Sequence, residues 1–235
     1  MSTIPDNIAK VRARIREAAH ACGRSAEGVQ LLAVSKTKPA TALREACACG
    51  QRDFGENYLQ EALAKQAELA DLDLVWHFIG PIQSNKTKPL AEHFAWVHSV
   101  DRLKIAERLS AQRPAHLPPL NICLQVNVSG EASKSGCTPA ELPALAAAVA
   151  ALPNLRLRGL MAIPEPTPDQ GAQRAAFARL RELRDSLPPP LDTLSMGMSD
   201  DLEAAIAEGA TWVRIGSALF GARDYSPTSS ASPAS

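Results

Sequence analysis

The chain carries no excess charge of either sign: 25 lysine and arginine residues balance 25 aspartates and glutamates. That balance argues against a polyanion such as nucleic acid, or an anionic membrane surface, as the protein's partner. Long hydrophobic runs are missing too, since no segment approaches the roughly 18 uninterrupted apolar residues a membrane span needs. The N-terminal stretch places Asp6, Lys10, Arg12 and Arg14 among small apolar residues, the pattern of an amphipathic helix and not of a signal peptide. The cytoplasm is therefore the expected location. Cysteine is sparse and odd in number, at Cys22, Cys47, Cys49, Cys123 and Cys137. No pair has zinc or redox spacing, and Cys47 and Cys49 point to different sides of one helix. The five are expected to be buried or half-buried side chains without chemistry, and no metal site is expected. A glycine-rich phosphate loop after the first strand is also absent, which argues against a doubly wound nucleotide-binding sheet.

What the chain does have is regular alternation. Short apolar runs at 31–36, 52–55, 74–79, 95–100, 120–128, 155–163, 192–196 and 211–216 predict strands. Between them, 39–49, 57–70, 83–93, 101–112, 138–151, 168–187 and 199–208 predict helices, and an extra helix over 4–22 precedes the first strand. Alternating strands and helices call for a parallel sheet, because each crossover helix returns the chain to the same edge. Eight such strands close a β/α barrel, and 235 residues suit one such core better than two domains. The expectation is a single (β/α)8 TIM barrel over residues 1–225. A Ser/Pro/Ala-rich tail over 226–235 is expected to be disordered.

In a parallel barrel the chemistry gathers at the carboxyl ends of the strands. The first strand, Leu31-Leu32-Ala33-Val34-Ser35, runs into Lys36, whose amine would enter the cavity the strands surround. Desolvation there favours the neutral amine that attacks aldehydes; taken alone, a solvated lysine at a strand end is the competing reading. The other strand ends present Glu56 and Asn57, His77 with Gly80, His98 and Ser99, Asn127, Met161, and Ser195 with Met196. After strand seven, Ser199 falls at the expected N-cap of the next helix, where its hydroxyl and free backbone N–H groups accept an anion. Asp200 and Asp201 follow it and are expected to face solvent. After strand eight, Gly216 permits close backbone approach and Ser217 adds a hydroxyl. Singly these are ordinary caps; paired after strands seven and eight, they mark the usual phosphate site of the fold. Arg214, two residues earlier, points into the same mouth, with a salt bridge to a neighbouring helix as its alternative role. His77, between Trp76 and Phe78, reads as a satisfied core or rim histidine. Lys38, Lys86 and Lys134 read as surface residues, and Lys134 lies in a loop, Gly130–Gly136, that suits a lid.

Several of these segments resemble one family closely. Ala33-Val34-Ser35-Lys36-Thr37-Lys38-Pro39, Phe54-Gly55-Glu56-Asn57-Tyr58, Trp76-His77-Phe78-Ile79-Gly80 and Gln83-Ser84-Asn85-Lys86 look like the pyridoxal phosphate homeostasis proteins. So do Lys134-Ser135-Gly136, Gly159-Leu160-Met161, Leu194-Ser195-Met196-Gly197-Met198-Ser199 and Val213-Arg214-Ile215-Gly216. The resemblance spans residues 4–225 and implies a barrel like the N-terminal domain of alanine racemase. It implies that Lys36 forms an aldimine with pyridoxal 5′-phosphate and that Ser199, Gly216 and Ser217 hold the phosphate. By the same resemblance Arg214 meets the pyridine nitrogen and Asn57 lies near the ring. The Lys134 loop would be a lid or a second cofactor site.

Two functions share that lysine. One is a non-catalytic carrier, with no catalytic residue, that buffers pyridoxal phosphate and so influences vitamin B6 and amino-acid pools, with apo pyridoxal phosphate enzymes as its candidate recipients. The other is an amino-acid racemase. Only 19 residues follow Gly216, so the expectation is that no further domain supplies the second acid–base group a racemase needs. Arginine also keeps its proton, which leaves the ring a weaker electron sink. The carrier, as a monomer, is the favoured reading.

Overall fold

The computed structural model describes residues 3–130 and 135–221; Lys134 with the central part of its expected lid, and the tail after 225, lie outside the described residues. Eight parallel strands pair in chain order and close on themselves: β1 (Gln30–Val34), β2 (Asp53–Glu56), β3 (Val75–Phe78), β4 (Trp96–Val100), β5 (Leu120–Gln125), β6 (Leu155–Met161), β7 (Thr193–Ser195) and β8 (Trp212–Ile215). The register runs from Ala33 beside Phe54 round to Ala33 beside Ile215. Most strands are shorter than the apolar runs that predict them, losing residues at one or both ends, whereas β2 keeps the length of its run, shifted by one residue.

The crossover helices are α2 (Ala40–Ala48), α3 (Leu59–Glu68), α4 (Thr87–His93), α5 (Leu103–Gln112), α6 (Leu142–Ala150), α7 (Gln170–Asp185) and α8 (Leu202–Ala207), with a single turn, α9 (Ser217–Phe220), after β8. Their apolar faces meet the outer face of the barrel in the main core. The extra helix α1 (Ile4–Ala21) is fixed at its start by a reciprocal cap between Thr3 and Asp6. Ile8, Val11, Ile15 and Ala19, at helical spacing, form its buried stripe. Just beyond it Arg24 donates to the carbonyls of Ile206 and Ala210 at 2.6 and 2.8 Å, satisfying the exposed end of α8.

Inside the barrel the filling differs from the usual aliphatic layers. Leu32, Trp96, Cys123, Met161 and Trp212 form a small apolar cluster. The His77 ring lies among them, stacked on Trp96 with centroids 5.5 Å apart and edge-on to Trp212 at 4.8 Å. His77 is thus the satisfied core histidine its neighbours suggested. The cysteine expectation needs one correction: Cys22 is exposed, because it follows the last turn of α1, whereas Cys47, Cys123 and Cys137 are buried.

Gly159 shows why a glycine is needed in a strand that otherwise favours branched residues. The pairing of β5 with β6 slips at Arg158, so Gly159 sits opposite Cys123. A Cβ there would lie 1.8 Å from the backbone oxygen of Thr193 on β7. Gly159→Ala should therefore force β6 and β7 apart and cost about 3 kcal/mol or more. Chemical denaturation checks this, and an unchanged midpoint would contradict the close approach.

Candidate functional site

A cavity of about 280 Å³ opens at the carboxyl end of the barrel, bordered by Lys36, Asn57, Ser199, Arg214, Gly216 and Ser217. All six residues singled out by the sequence therefore face one space, close to the roughly 300–1,000 Å³ of ordinary small-ligand sites. A larger cleft of about 740 Å³, between the proline-rich segment after β6 and α8, borders it through Met198 and Asp200. The lysine, arginine and paired serines are all on the smaller cavity, which makes it the candidate site.

Lys36 lies two residues past the end of β1, in a turn with a specific support. Thr37 adopts φ 64°, a left-handed conformation uncommon for a residue other than glycine. Its backbone N–H donates to Glu61 at 2.5 Å. Lys65, on the inner face of α3, donates to the Ser35 carbonyl at 2.7 Å, to Glu56 at 2.7 Å and to Glu61 at 2.6 Å. The Ser35 hydroxyl donates to Glu56 at 2.6 Å. The Glu56 side chain is 0% exposed and that of Lys65 is 7%. Burial pushes the Glu56 carboxyl up, against the opposing pull of the Lys65 ammonium. Residues on both sides of Lys36 are thus tied to one buried ion pair. Sequence reasoning missed Lys65, because Glu61 and Lys65 at i,i+4 look like an ordinary exposed helix pair.

The two turns after β7 and β8 do come together, though not as expected. Ser199 is not a helix N-cap: α8 begins at Leu202, and Asp201 occupies the capping position. Asp201 is half-buried, correcting its expected solvent-facing role, because its carboxylate accepts from Met198 N–H at 2.6 Å. Asp200 does face solvent. Ser199 instead reaches across to the other turn, where Ser217 Oγ donates to it at 3.3 Å and Ala218 N–H at 3.4 Å. Its own carbonyl accepts from Arg14 at 3.0 Å. Two hydroxyls and a backbone N–H therefore converge beside Gly216.

Arg214 projects from β8 into the barrel and is 4% exposed. Burial brings its guanidinium down to about 10, a shift that the Asp201 carboxylate opposes. It donates to Ser195 Oγ and to the Ala162 carbonyl, both at 3.0 Å. Both hydrogen-bond partners lie inside the barrel, and among the described residues no salt bridge to a neighbouring helix is formed by Arg214. Ser195 Oγ lies 2.7 Å from His98 Nδ1, His98 Nε2 lies 2.9 Å from His77 Nδ1, and His77 Nε2 lies 2.9 Å from Asp53. Burial, aided by His77 and Arg214, holds His98 well below the usual imidazole range. Burial outweighs the Asp53 carboxylate and lowers His77 as well.

Asn57 leaves its side-chain oxygen buried without a partner at the edge of the cavity, which suits a bound group carrying a donor. Gly80 makes that position possible, since a Cβ there would come within 2.3 Å of the Asn57 carbonyl oxygen. Lys38, read as a surface residue, is half-buried and borders the cavity beside Lys36. Lys86 is exposed as expected.

Residues 7–224 match the family model described as alanine racemase, N-terminal domain. The pyridoxal phosphate homeostasis protein of Pseudomonas aeruginosa is 80% identical over 225 residues, covering 96% of this chain and 98% of that one. The protein of the same name from Escherichia coli is 58% identical, over 96% and 99% of the two chains. Among solved structures, PipY of Synechococcus elongatus with pyridoxal phosphate bound is 44% identical, with a TM-score of 0.82 over 93% of this chain and 100% of that one. Alanine racemase from Corynebacterium glutamicum shares the fold at 16% identity, with a TM-score of 0.64 over 92% of this chain and 62% of its own.

The Lys65 cluster and the buried histidines each generate a test. Lys65→Met strands Glu56 and should destabilise the fold by about 3–5 kcal/mol, whereas Lys65→Met with Glu56→Leu should recover most of that loss. Equal denaturation midpoints for the single and double variants would contradict a buried ion pair. His77 and His98 are held neutral by burial, so below about pH 6.5 the unfolded chain binds more protons than the folded one. Their contribution to stability is therefore present above that pH and lost as pH falls. The pH slope of wild-type stability should exceed that of His77→Phe by up to about 1.4 kcal/mol per pH unit below pH 6.5. Identical slopes would mean that His77 is already charged in the folded protein.

Proposed function

Because the chain belongs to the pyridoxal phosphate homeostasis protein family, built on the alanine racemase N-terminal barrel, we propose that it carries pyridoxal 5′-phosphate on Lys36 at the barrel mouth. The protein binds pyridoxal phosphate and serves its homeostasis. The observation that carries the site assignment is the convergence of a lysine, paired serines and a buried arginine on one cavity of about 280 Å³. The bound cofactor brings an aldehyde for a lysine amine and a dianion for an anion site. Lys36, its turn held by the Lys65–Glu56–Glu61 cluster, presents the amine. Ser199, Ser217 and the backbone at Gly216 and Ala218 supply the phosphate donors, and the Ser199–Ser217 pair is ready to exchange its mutual bond for bonds to the anion. Arg214, held from behind by Ser195 and Ala162, donates to the pyridine nitrogen. Asn57 accepts from the ring substituents through its unpartnered oxygen.

We favour a carrier over an enzyme. Arg214 donates a hydrogen bond without surrendering its proton. Among the described residues bordering the cavity there is no histidine, tyrosine or cysteine, and the two amines, Lys36 and Lys38, come from a single turn. Proton transfer at both faces of an amino-acid Cα is poorly served by that set. The relatives at 80% and 58% identity bear the names of homeostasis proteins. The fold shared with alanine racemase keeps racemisation as the second reading. The carrier would act in the cytoplasm as a monomer and release its cofactor to apo-enzymes that need it.

Lys36→Ala is expected to abolish the visible absorbance band of the lysine-bound cofactor, while survival of the full band would move the attachment to another lysine such as Lys38. Replacing Ser199 and Ser217 together by alanine should weaken binding of pyridoxal phosphate far more than binding of unphosphorylated pyridoxal. Each charge-assisted bond removed should cost roughly 1.5–3 kcal/mol, and equal losses for both ligands would rule out this anion site. Incubation of the loaded protein with L-alanine should give D-isomer formation and Cα deuterium exchange well below the roughly 1–10³ per second of ordinary enzymes. Turnover in that range, lost in Lys36→Ala, would replace the carrier with a racemase.

A further inference from the structure

Arg214 is joined to the far end of the barrel by an unbroken run of buried polar groups. From the mouth inward these are Ser195, His98 and His77, each 0% exposed, and then Asp53, whose side chain is 27% exposed. The successive separations are 3.0, 2.7, 2.9 and 2.9 Å. Every proton along this run can be assigned. A guanidinium only donates, so Ser195 Oγ accepts from Arg214 and turns its own hydroxyl proton to His98 Nδ1. His98 then carries its proton on Nε2 and gives it to His77 Nδ1. His77 in turn carries its proton on Nε2 and gives it to the Asp53 carboxylate. The reverse order would aim two donors at Ser195 Oγ, leave its hydroxyl proton with no acceptor in the run, and require either a protonated Asp53 or a cationic His77, a charge that the enclosed ring disfavours. Both ends therefore impose the same direction.

We infer that Asp53, His77, His98 and Ser195 are positioning residues for Arg214, a one-way hydrogen-bond relay in which both histidines are neutral Nε2–H tautomers. The inference rests on the reading that Arg214 donates to the pyridine nitrogen of the bound cofactor. Each group in the relay turns its electron-rich atom toward Arg214 and its proton toward Asp53, so the aligned dipoles stabilise the guanidinium at one end and the carboxylate at the other. Two N–H groups of Arg214 are committed, to Ser195 and to Ala162, which fixes the guanidinium plane and leaves its remaining donors for the ring. Asp201, from the turn before α8, is the acidic group facing Arg214. At the other end Asp53 borders a cleft with Arg12, Arg16 and Arg52. His98 and His77 are enclosed otherwise by Trp96 and Trp212, which offer no competing ring-nitrogen acceptor. A device placed only to fill the core would not need this order; one that sets the orientation of a donor at the mouth does.

The first test uses the wild-type protein without cofactor, followed by nitrogen-15 NMR of the imidazoles near pH 7. Both histidines are expected as Nε2–H tautomers, and a proton on Nδ1 of either ring, or a cationic His98, would overturn the relay. The second compares equilibrium binding of pyridoxal phosphate with that of its 1-deaza analogue, in which carbon replaces the ring nitrogen. Wild type should prefer the nitrogen-containing ligand. His77→Phe keeps a ring in the stack with Trp96 and Trp212 but removes both of its hydrogen bonds, and should lower that preference by about threefold or more. Asp53→Asn still offers an oxygen to His77 Nε2–H and should keep the preference within about twofold of wild type. An unchanged preference in a folded His77→Phe variant would overturn the positioning role. A wild-type protein that binds both ligands equally would instead overturn the Arg214 assignment itself, whatever the NMR result.

Discussion

A guanidinium buried inside a β-barrel imposes conditions on everything around it. Transferring such a charge from water costs several kcal/mol unless its donors are satisfied. Here Ser195 and the Ala162 carbonyl accept from Arg214, and Asp201 supplies a nearby negative charge. Ser195 must in turn find an acceptor, which brings in His98, and His98 brings in His77 and Asp53. The central filling of the barrel is therefore polar along one line and aromatic around it. Aliphatic layers of the usual barrel kind would remove the Ser195 acceptor and leave Arg214 only the Ala162 carbonyl and the nearby Asp201 charge.

A second buried charge does comparable service on the other side of the mouth. Lys65, on α3, donates at once to the Ser35 carbonyl, to Glu56 at the end of β2 and to Glu61. Glu61 also accepts from Thr37, which holds a left-handed backbone. The residues before and after Lys36 are thus fixed through a group that never enters the cavity. Lys36 sits on a short, supported turn, and the paired serines border the same cavity from the turns after β7 and β8. Rigid placement of an amine against an anion site is what covalent retention of a phosphorylated aldehyde requires.

The strand–helix alternation was legible because each strand is bounded by polar or turn residues and each helix carries a clean apolar stripe, as Ile8, Val11, Ile15 and Ala19 do in α1. Barrel closure followed from the count of strands. Lys36, Asn57, Ser199, Arg214, Gly216 and Ser217 were legible as a group because the fold sends all strand ends to one mouth. Their chemical roles came from resemblance, since spacing alone says nothing of which atom meets which. Ser199 looks like a helix start because Ser-Asp-Asp reads as a capping sequence, whereas α8 begins only at Leu202, after Asp201, whose carboxylate accepts from Met198 N–H in the preceding turn. Lys38 was misread as exposed because its side chain follows a turn whose course depends on Lys65. The relay through His77 and His98 was invisible because its members are 19 to 97 residues apart in the chain and meet only through barrel closure.

The proposed carrier function would draw on the same architecture, in which Lys36, the Ser199–Ser217 pair and Arg214 border one cavity. The measurement that bears most directly on this account is a crystal structure of the protein grown with pyridoxal 5′-phosphate. The account predicts continuous density from Lys36 Nζ to the cofactor, the phosphate between Ser199 and Ser217, and the pyridine nitrogen beside Arg214. Covalent density on Lys38 or another lysine, or a phosphate lodged away from the turns after β7 and β8, would contradict it.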